Sequence, residues 1–400
     1  MTISARQLRR KLLGDKYNAV IFGKGRDRGI YIVGGYVRDT LRGARSQDRD
    51  FVINGDLTSF AREVRDIFGG TIVKFKKGDM IRLALESGVT FDFAAPMGTI
   101  EKDLSKRDFT VNAIAWTSER GIVDRHQGVK DLERKKIRMI SESNLISDPL
   151  RILRAYRFAA ELGGSIERRT RDTIKTLHNR IENVSPERIT LELFYLLNSK
   201  RSSKYLKSAL DDGILSGILS IPDKVLEGNI RGISKLERRV LEQLPPRLKV
   251  LLNKTFSQNL TYKGLLCLEL LLQGNISSVQ RIRMSSNIIK RIQLAFKGLT
   301  GLEKWGSESR DRLFDIFVRS KDAALDTMII AGRMDLLKGY TRFRKIIKGG
   351  FLGSDDVMKI VDIEPGPMIG KIILDLRRAE FEGKVKSRGQ AVDFIKKHCK

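Results

Sequence analysis

Over the first 140 residues, short β-branched and aromatic runs (Tyr31–Val33, Phe51–Ile53, Thr71–Phe75, Met80–Leu85 and Val89–Phe93) alternate with glycine-bearing turns and short stretches of helical period. This pattern predicts an α+β head with a mixed sheet. From about residue 145 the period changes: Leu150, Leu153, Tyr156 and Ala160, then Leu191, Phe194 and Leu197, recur as on amphipathic helices. No strand is expected beyond that point, and Pro245-Pro246 and the Gly349, Gly350, Gly353 region are expected breaks. The longest apolar stretch, Leu265 to Leu272, is interrupted by Glu269 and falls far short of the ~18 residues of a spanning helix. No membrane partner is expected, and the reading is a cytoplasmic protein.

Charge adds a class of partner. The 400 residues carry 76 Lys and Arg against 48 Asp and Glu, a net +28, which points to a polyanion, nucleic acid first. An apolar content of 41% is ample for folded cores and excludes disorder. Cys267 and Cys399 make no disulfide framework, and His126, His178 and His398 provide neither a His-rich metal site nor the His-Asp pair of an appended phosphohydrolase.

Asp48-Arg49-Asp50 leads into Phe51-Val52-Ile53, and residues two apart on a strand share a face. Two carboxylates so placed can hold two Mg²⁺ ions that bridge a nucleoside triphosphate and an attacking hydroxyl; alone, they read more readily as solvated acids at a strand edge. Upstream, Tyr31-Ile32-Val33-Gly34-Gly35-Tyr36-Val37-Arg38-Asp39 is a strand, a Gly-Gly turn and a helix start. There Gly34 and Gly35 let backbone amides approach phosphate and Arg38 supplies a forked donor, unless this is a plain strand-to-helix turn. Asp92, in an otherwise apolar strand, is a third carboxylate that could orient the ions or accept the hydroxyl proton, or an edge-strand acid.

These segments, followed by Lys106-Arg107-Asp108-Phe109-Thr110-Val111-Asn112-Ala113-Ile114-Ala115, resemble the head of the class II tRNA nucleotidyltransferases and bacterial poly(A) polymerases, of the nucleotidyltransferase superfamily. Asp124 with Gly128, Asp131 and Leu132 resembles the family's head-to-neck hinge. Asp148-Pro149-Leu150-Arg151 with Arg154 and Arg157 resembles its nucleotide-selecting neck helix, and Pro186-Glu187-Arg188-Ile189 with Glu192 the motif after it. Gly366-Pro367-Met368-Ile369-Gly370 and Gly383 are similar to the tail of the tRNA enzymes. The resemblance implies a catalytic head (1–142), a helical neck with the nucleotide pocket (143–205), a helical body (206–335) and a tRNA-binding tail (336–400), the last three forming an elongated all-α part. It implies Asp48, Asp50 and Asp92 as catalytic residues, the first two as metal ligands. It gives Gly34, Gly35, Arg38, Arg107, Asp148, Arg151, Arg154 and Arg157 as nucleotide contacts. Asp148 and Arg151, three apart, would read the base: aspartate accepts from the amino group of cytosine or adenine and guanidinium donates to the ring. Asp148 also fits a helix N-cap with Pro149 at the first helical position.

The sequence departs from the family at three places. Ser147 replaces the usual Glu before Asp148, Lys106 replaces an arginine and so loses a fork, and only Ala94-Ala95-Pro96-Met97-Gly98 separates Phe93 from Thr99, where the full CCA-adding enzymes carry a flexible loop. Loss of that loop resembles the partial enzymes that add two cytidines from CTP and leave the terminal adenosine to a separate enzyme. Full CCA addition, A addition with ATP and polyadenylation remain as alternatives, and a catalytically inactive RNA-binding protein is the rival from another class. The acceptor stem and elbow of tRNA are the expected partner of the C-terminal half, through Arg342, Arg344, Lys345, Lys384, Lys386 and Arg388, each of which also suits a solvated helix face.

Overall fold

The computed structural model describes residues 3–75, 80–275, 282–303 and 310–398; Cys399 lies outside the described residues. Contacts divide the chain into two units, one running to Lys200 and taking in Tyr205–Ile218, the other comprising Arg201–Lys204 and the chain from Leu219 onward.

The first unit is built on a seven-stranded mixed sheet in the order β3-β4-β5-β2-β1-β6-β7. Its strands are β1 (Tyr31–Val33), β2 (Asp48–Val52), β3 (Thr71–Lys74), β4 (Met80–Ala84), β5 (Thr90–Ala94), β6 (Ala115–Thr117) and β7 (Gly121–Val123). Only β2 and β5 run parallel, with Asp50 opposite Asp92; the other pairs are antiparallel. Alternation explains the two faces. Phe51, Phe91 and Phe93 are fully buried on one side, Phe51 stacked on Phe93 at 5.7 Å and Phe60 of the helix Leu57–Phe68 edge-on to Phe93 at 5.2 Å. The intervening Asp48, Asp50 and Asp92 therefore share the opposite side. Arg49, on the apolar side, is sheltered among Tyr17, Tyr36 and Phe91 and paired with Asp15 at 3.0 Å. The DxD motif thus lies inside β2, slightly earlier than the hydrophobic run alone suggests. Asp92 is not at a sheet edge, because β4 continues the sheet beyond it.

The remainder is mostly helical, as expected from the change of period. Three short strands, in two pairings, correct the expectation that no strand follows residue 145: β9 (Ser165–Ile166) joins β8 (Lys136–Ile137) in parallel, and β10 (Thr255–Ser257) pairs with β11 (Leu260–Thr261). Two- and three-residue ladders leave no detectable period in a sequence. The tail motif is legible as a helix, Pro367–Glu382, with proline in its first turn and Gly383 closing it in the left-handed region at φ 82°. No described helix is long and apolar enough to cross a membrane.

In the second unit the helix Tyr262–Leu271 is buried nearly all round and carries Glu269, fully buried, with no donor at either carboxylate oxygen. Burial pushes its carboxyl well above the ordinary range and nearby Asp326 pushes it further, against the pull of Arg291, which grips Asp326 at 2.5 and 3.1 Å. A carboxyl whose folded pKa is raised leaves stability intact below its unfolded value near 4.5 and lowers it as pH climbs toward the folded value. Glu269→Gln should therefore melt about 3–5 °C above the parent at pH 8 and converge with it by pH 4, as read by calorimetry. Parallel melting curves across that range would contradict the buried-acid reading.

Candidate active site

A cleft of about 820 Å³ opens over the acidic face of the sheet, within the first unit. Its floor is set by register. Asp48 and Asp50 project from β2 and Asp92 from the neighbouring β5, while Thr90 on β5 donates to Asp48 Oδ1 at 2.5 Å. Burial raises the Asp50 carboxyl above its usual range; Arg107 pulls the other way, and Asp92 and Asp48 add to the rise. Both oxygens of Asp92 are taken by Arg82 of β4, at 2.7 and 2.6 Å. Asp92 is thus fixed toward the cleft by a two-pronged guanidinium contact, beside Asp48 and Asp50.

No group of three or more potential His, Cys, Asp or Glu ligands occurs among the described residues. The Asp48 and Asp50 pair nevertheless fits hard divalent cations, which bind through one or two carboxylates and complete their shell with substrate phosphates and water. Two acids side by side on one face, one exposed and one half-buried, leave negative charge that a cation would offset.

The rim above the floor is a lattice of arginines. Gly34 turns the chain at φ 72°, and a Cβ there would sit 2.6 Å from Arg107 Nη1 and 3.5 Å from Asp50 Oδ2, so only glycine lets Arg107 lie over the acid. Gly35 lines the cleft beside it. Arg38 also lines it, but its fork closes on Asp39 at 3.0 Å twice and its Nη1 reaches Asn112 at 2.6 Å. Asn112 in turn donates to Asp108, whose other oxygen accepts from Arg154 at 2.9 Å. Despite full burial, Arg154, Asn112 and the Phe109 amide hold the Asp108 carboxyl below its ordinary range. Arg154 and Arg157 share Glu192, at 3.3 and 2.6 Å, and Arg38, Arg154 and Arg157 all lie over the Phe158 ring, Arg157 nearest at 4.0 Å. Asp124 accepts from the Gly128 and Val129 amides, and a Cβ on Gly128 would meet the Thr110 carbonyl at 2.1 Å, so this segment seats the 108–112 turn.

Asp148 and Arg151 both face the cleft, 4.0 Å apart. Asp148 is not the helix N-cap: it lies between the helices Glu142–Ser147 and Leu150–Leu162, its backbone extended, with Pro149 at the cap position. Its carboxylate is instead gripped by Arg188, at 3.0 and 3.1 Å. Arg151 donates to the Asn144 carbonyl at 3.0 Å, the same carbonyl that the Ser147 hydroxyl reaches, and the Asn144 side chain binds the carbonyls of Ser105 and Arg107 at 2.8 and 2.7 Å. Asn144 thereby ties Arg151 to the Arg107 turn. Lys106 points elsewhere, its ammonium meeting Met97 of the short link.

Sequence reasoning missed Arg82 and Asn144. Arg82 was detectable in principle, as the one charge in the alternating run Met80–Ala84; Asn144 gave no signal, because its role lies in two backbone contacts far along the chain. The six basic residues assigned to RNA lie in the second unit. Arg342 donates to the Glu380 carbonyl, Lys384 pairs with Glu382, Arg388 reaches Phe351 and Asp356, Arg344 lines a separate cleft, and Lys345 and Lys386 are exposed.

Comparison with known proteins adds the family. Residues 30–95 and 85–138 match the poly A polymerase head domain, and residues 164–224 match the probable RNA and SrmB-binding site of polymerase A. The CC-adding tRNA nucleotidyltransferases of Synechocystis sp. and Geobacter sulfurreducens are each 29% identical, covering 91% and 92% of this chain and 92% of theirs. The A-adding tRNA nucleotidyltransferase of Deinococcus radiodurans is 35% identical over 49% of this chain and 45% of its own. In structure, the Thermotoga maritima CCA-adding enzyme complexed with tRNA shares the fold over the whole of both chains, with a TM-score of 0.76 at 21% identity. With the head and RNA-binding matches in chain order around the acid-floored cleft, the chain belongs to the tRNA nucleotidyltransferase and poly(A) polymerase family of enzymes.

Proposed function

We propose that this enzyme adds two cytidines from CTP to the 3′ end of tRNA, without a template, and leaves the terminal adenosine to a second enzyme. The observation that carries the cytidine reading is the link between the acidic strand and the next helix. β5 ends at Ala94 and Thr99 caps the helix Ile100–Ser105, so four residues stand where a mobile loop would reach over the nucleotide. A pocket without that lever keeps one arrangement of its base-reading side chains. Two relatives aligned over nine-tenths of the chain are named CC-adding, at 29% identity, while CCA-adding enzymes of Streptococcus suis align over as much of it at 27%, so the shortened link carries the choice between them.

Asp48 and Asp50 would hold the divalent ions, which when bound neutralise triphosphate charge and ease ionisation of the RNA 3′-hydroxyl. The protein's own groups do the rest. Arg107, over Asp50, and Arg154 and Arg157, stacked on Phe158, offer guanidinium edges to phosphate oxygens in a cleft whose remaining acids are already paired. Asp148 accepts from the cytosine amino group while Arg151 donates to N3 and O2 of the same base; uracil presents a donor at N3 and an acceptor at position 4 and is refused. Arg188 and the Asn144 carbonyl hold this pair without the glutamate that usually precedes the aspartate. Arg82, anchored on Asp92, keeps a cation beside the metal-binding acids. The tail lysines and arginines that remain exposed are the proposed contacts to the tRNA backbone.

Three outcomes are expected. With Mg²⁺ and tRNA transcripts ending at the discriminator base, after one cytidine or after two, labelled CTP should be incorporated into the first two only, and ATP into none; AMP added to the two-cytidine transcript would sink the CC reading. Asp48→Ala or Asp50→Ala should cut transfer by at least about 10³-fold while filter binding of the transcript changes less than about twofold, since the metals serve the chemical step. Asp148→Ala should narrow the preference for CTP over UTP by about 10-fold or more, the size of one lost base-edge contact, and loss of rate shared equally by all nucleotides would argue for a structural role instead.

A further inference from the structure

A second cleft, about 480 Å³ in volume, lies wholly within the second unit and has no part in the chemistry above. Its walls are aromatic. Phe256 of β10 and Tyr262, at the start of the helix Tyr262–Leu271, pack edge-to-face at 5.2 Å, and Tyr340 of the helix Leu337–Lys348 adds a third ring, itself braced on Phe317 at 5.9 Å. Its charges are mostly positive. Lys290 is exposed at the cleft, Arg344 stands one turn from Tyr340, and Arg291 is fixed across from Phe256 by its two hydrogen bonds to the buried Asp326. Asp322 and Asn287 contribute one acceptor and one amide.

Resting on the reading that the substrate is RNA, we propose that this cleft takes one unpaired nucleotide of that RNA, its base against Phe256, Tyr262 and Tyr340 and its phosphate against Lys290 and Arg344. Ring faces interleaved with cations form a stacking platform with charge neutralisation for the backbone. A base within a duplex has both faces stacked and its edge paired, so only an extruded or loop base can enter. Three cations and a carboxylate make the lining a poor match for a lipid chain, whereas Asp322 and Asn287 can meet the polar edge of a base. The space admits a single nucleotide. Arg344, expected from the sequence to be one member of a basic run on RNA, becomes here the partner of an aromatic wall.

The test uses the full chain and a tRNA transcript lacking its terminal nucleotides, with 4-thiouridine in place of uridine. Irradiation should cross-link peptides containing Phe256–Tyr262 or Tyr340, mapped by mass spectrometry. Tyr340→Leu and Arg344→Gln should each weaken transcript binding about tenfold, the size of one stacked base, with kcat at saturating transcript and KM for CTP unchanged. Tyr340→Phe and Arg344→Lys should bind nearly as the parent does, and melting curves within a few degrees of the parent verify folding. Cross-links confined to other segments, or unchanged affinity in both Tyr340→Leu and Arg344→Gln, overturn this proposal while leaving CTP transfer intact. A parent that transfers no nucleotide overturns the earlier reading, and the cross-link and affinity measurements still decide this one.

Discussion

Parallel pairing of two strands forces like charges together, and the rest of the first unit is arranged around that constraint. With Asp50 opposite Asp92 and Asp48 two residues earlier on the same face, three carboxylates share one side of a sheet whose other side is closed by phenylalanines. No register shift can relieve the crowding, because a slip of one residue would turn Phe51 toward the cleft and the acids into the core. The fold therefore holds negative charge in place and answers it with cations: Arg82 on Asp92, Arg107 over Asp50, and room for divalent ions at the pair that remains.

The arginines of the cleft are held more rigidly than their number suggests. Arg38, Asn112, Asp108, Arg154, Glu192 and Arg157 form one connected network, and Phe158 carries three of the guanidiniums on its ring. Burial raises the Glu192 carboxyl while Arg157 and Arg154 pull it back. A preorganised set of donors loses little conformational freedom when a triphosphate arrives. Arg38, whose fork closes on Asp39, belongs to this scaffold, and Arg107, Arg154 and Arg157 remain at the surface of the cleft.

Most of this was legible in the sequence where local period or motif spacing carried the information. The two acids, the Gly-Gly turn and the 107–112 segment could be placed by alternation and turn chemistry, and the helical remainder by its change of period. Three features escaped for physical reasons. The partners of Asp148 and Arg151, namely Arg188 and the Asn144 carbonyl, are set by tertiary packing that leaves no periodic trace. The pairing of Asp92 with Arg82 escaped because the neighbour strand could not be assigned until the fold was known. The aromatic cleft of the second unit draws Phe256, Tyr262, Lys290 and Tyr340 from segments far apart in the chain, and only Arg344 within a basic run hinted at it.

The proposed chemistry rests on Asp48 and Asp50 holding divalent ions against an incoming triphosphate. Crystals of the enzyme soaked with CTP and Mn²⁺, examined by anomalous scattering, test it most directly. Manganese peaks are expected within coordination distance of both carboxylates and of the triphosphate oxygens, with the cytosine edge at Asp148 and Arg151. Nucleotide bound elsewhere in the molecule, or bound in the cleft with no metal at either aspartate, would contradict it.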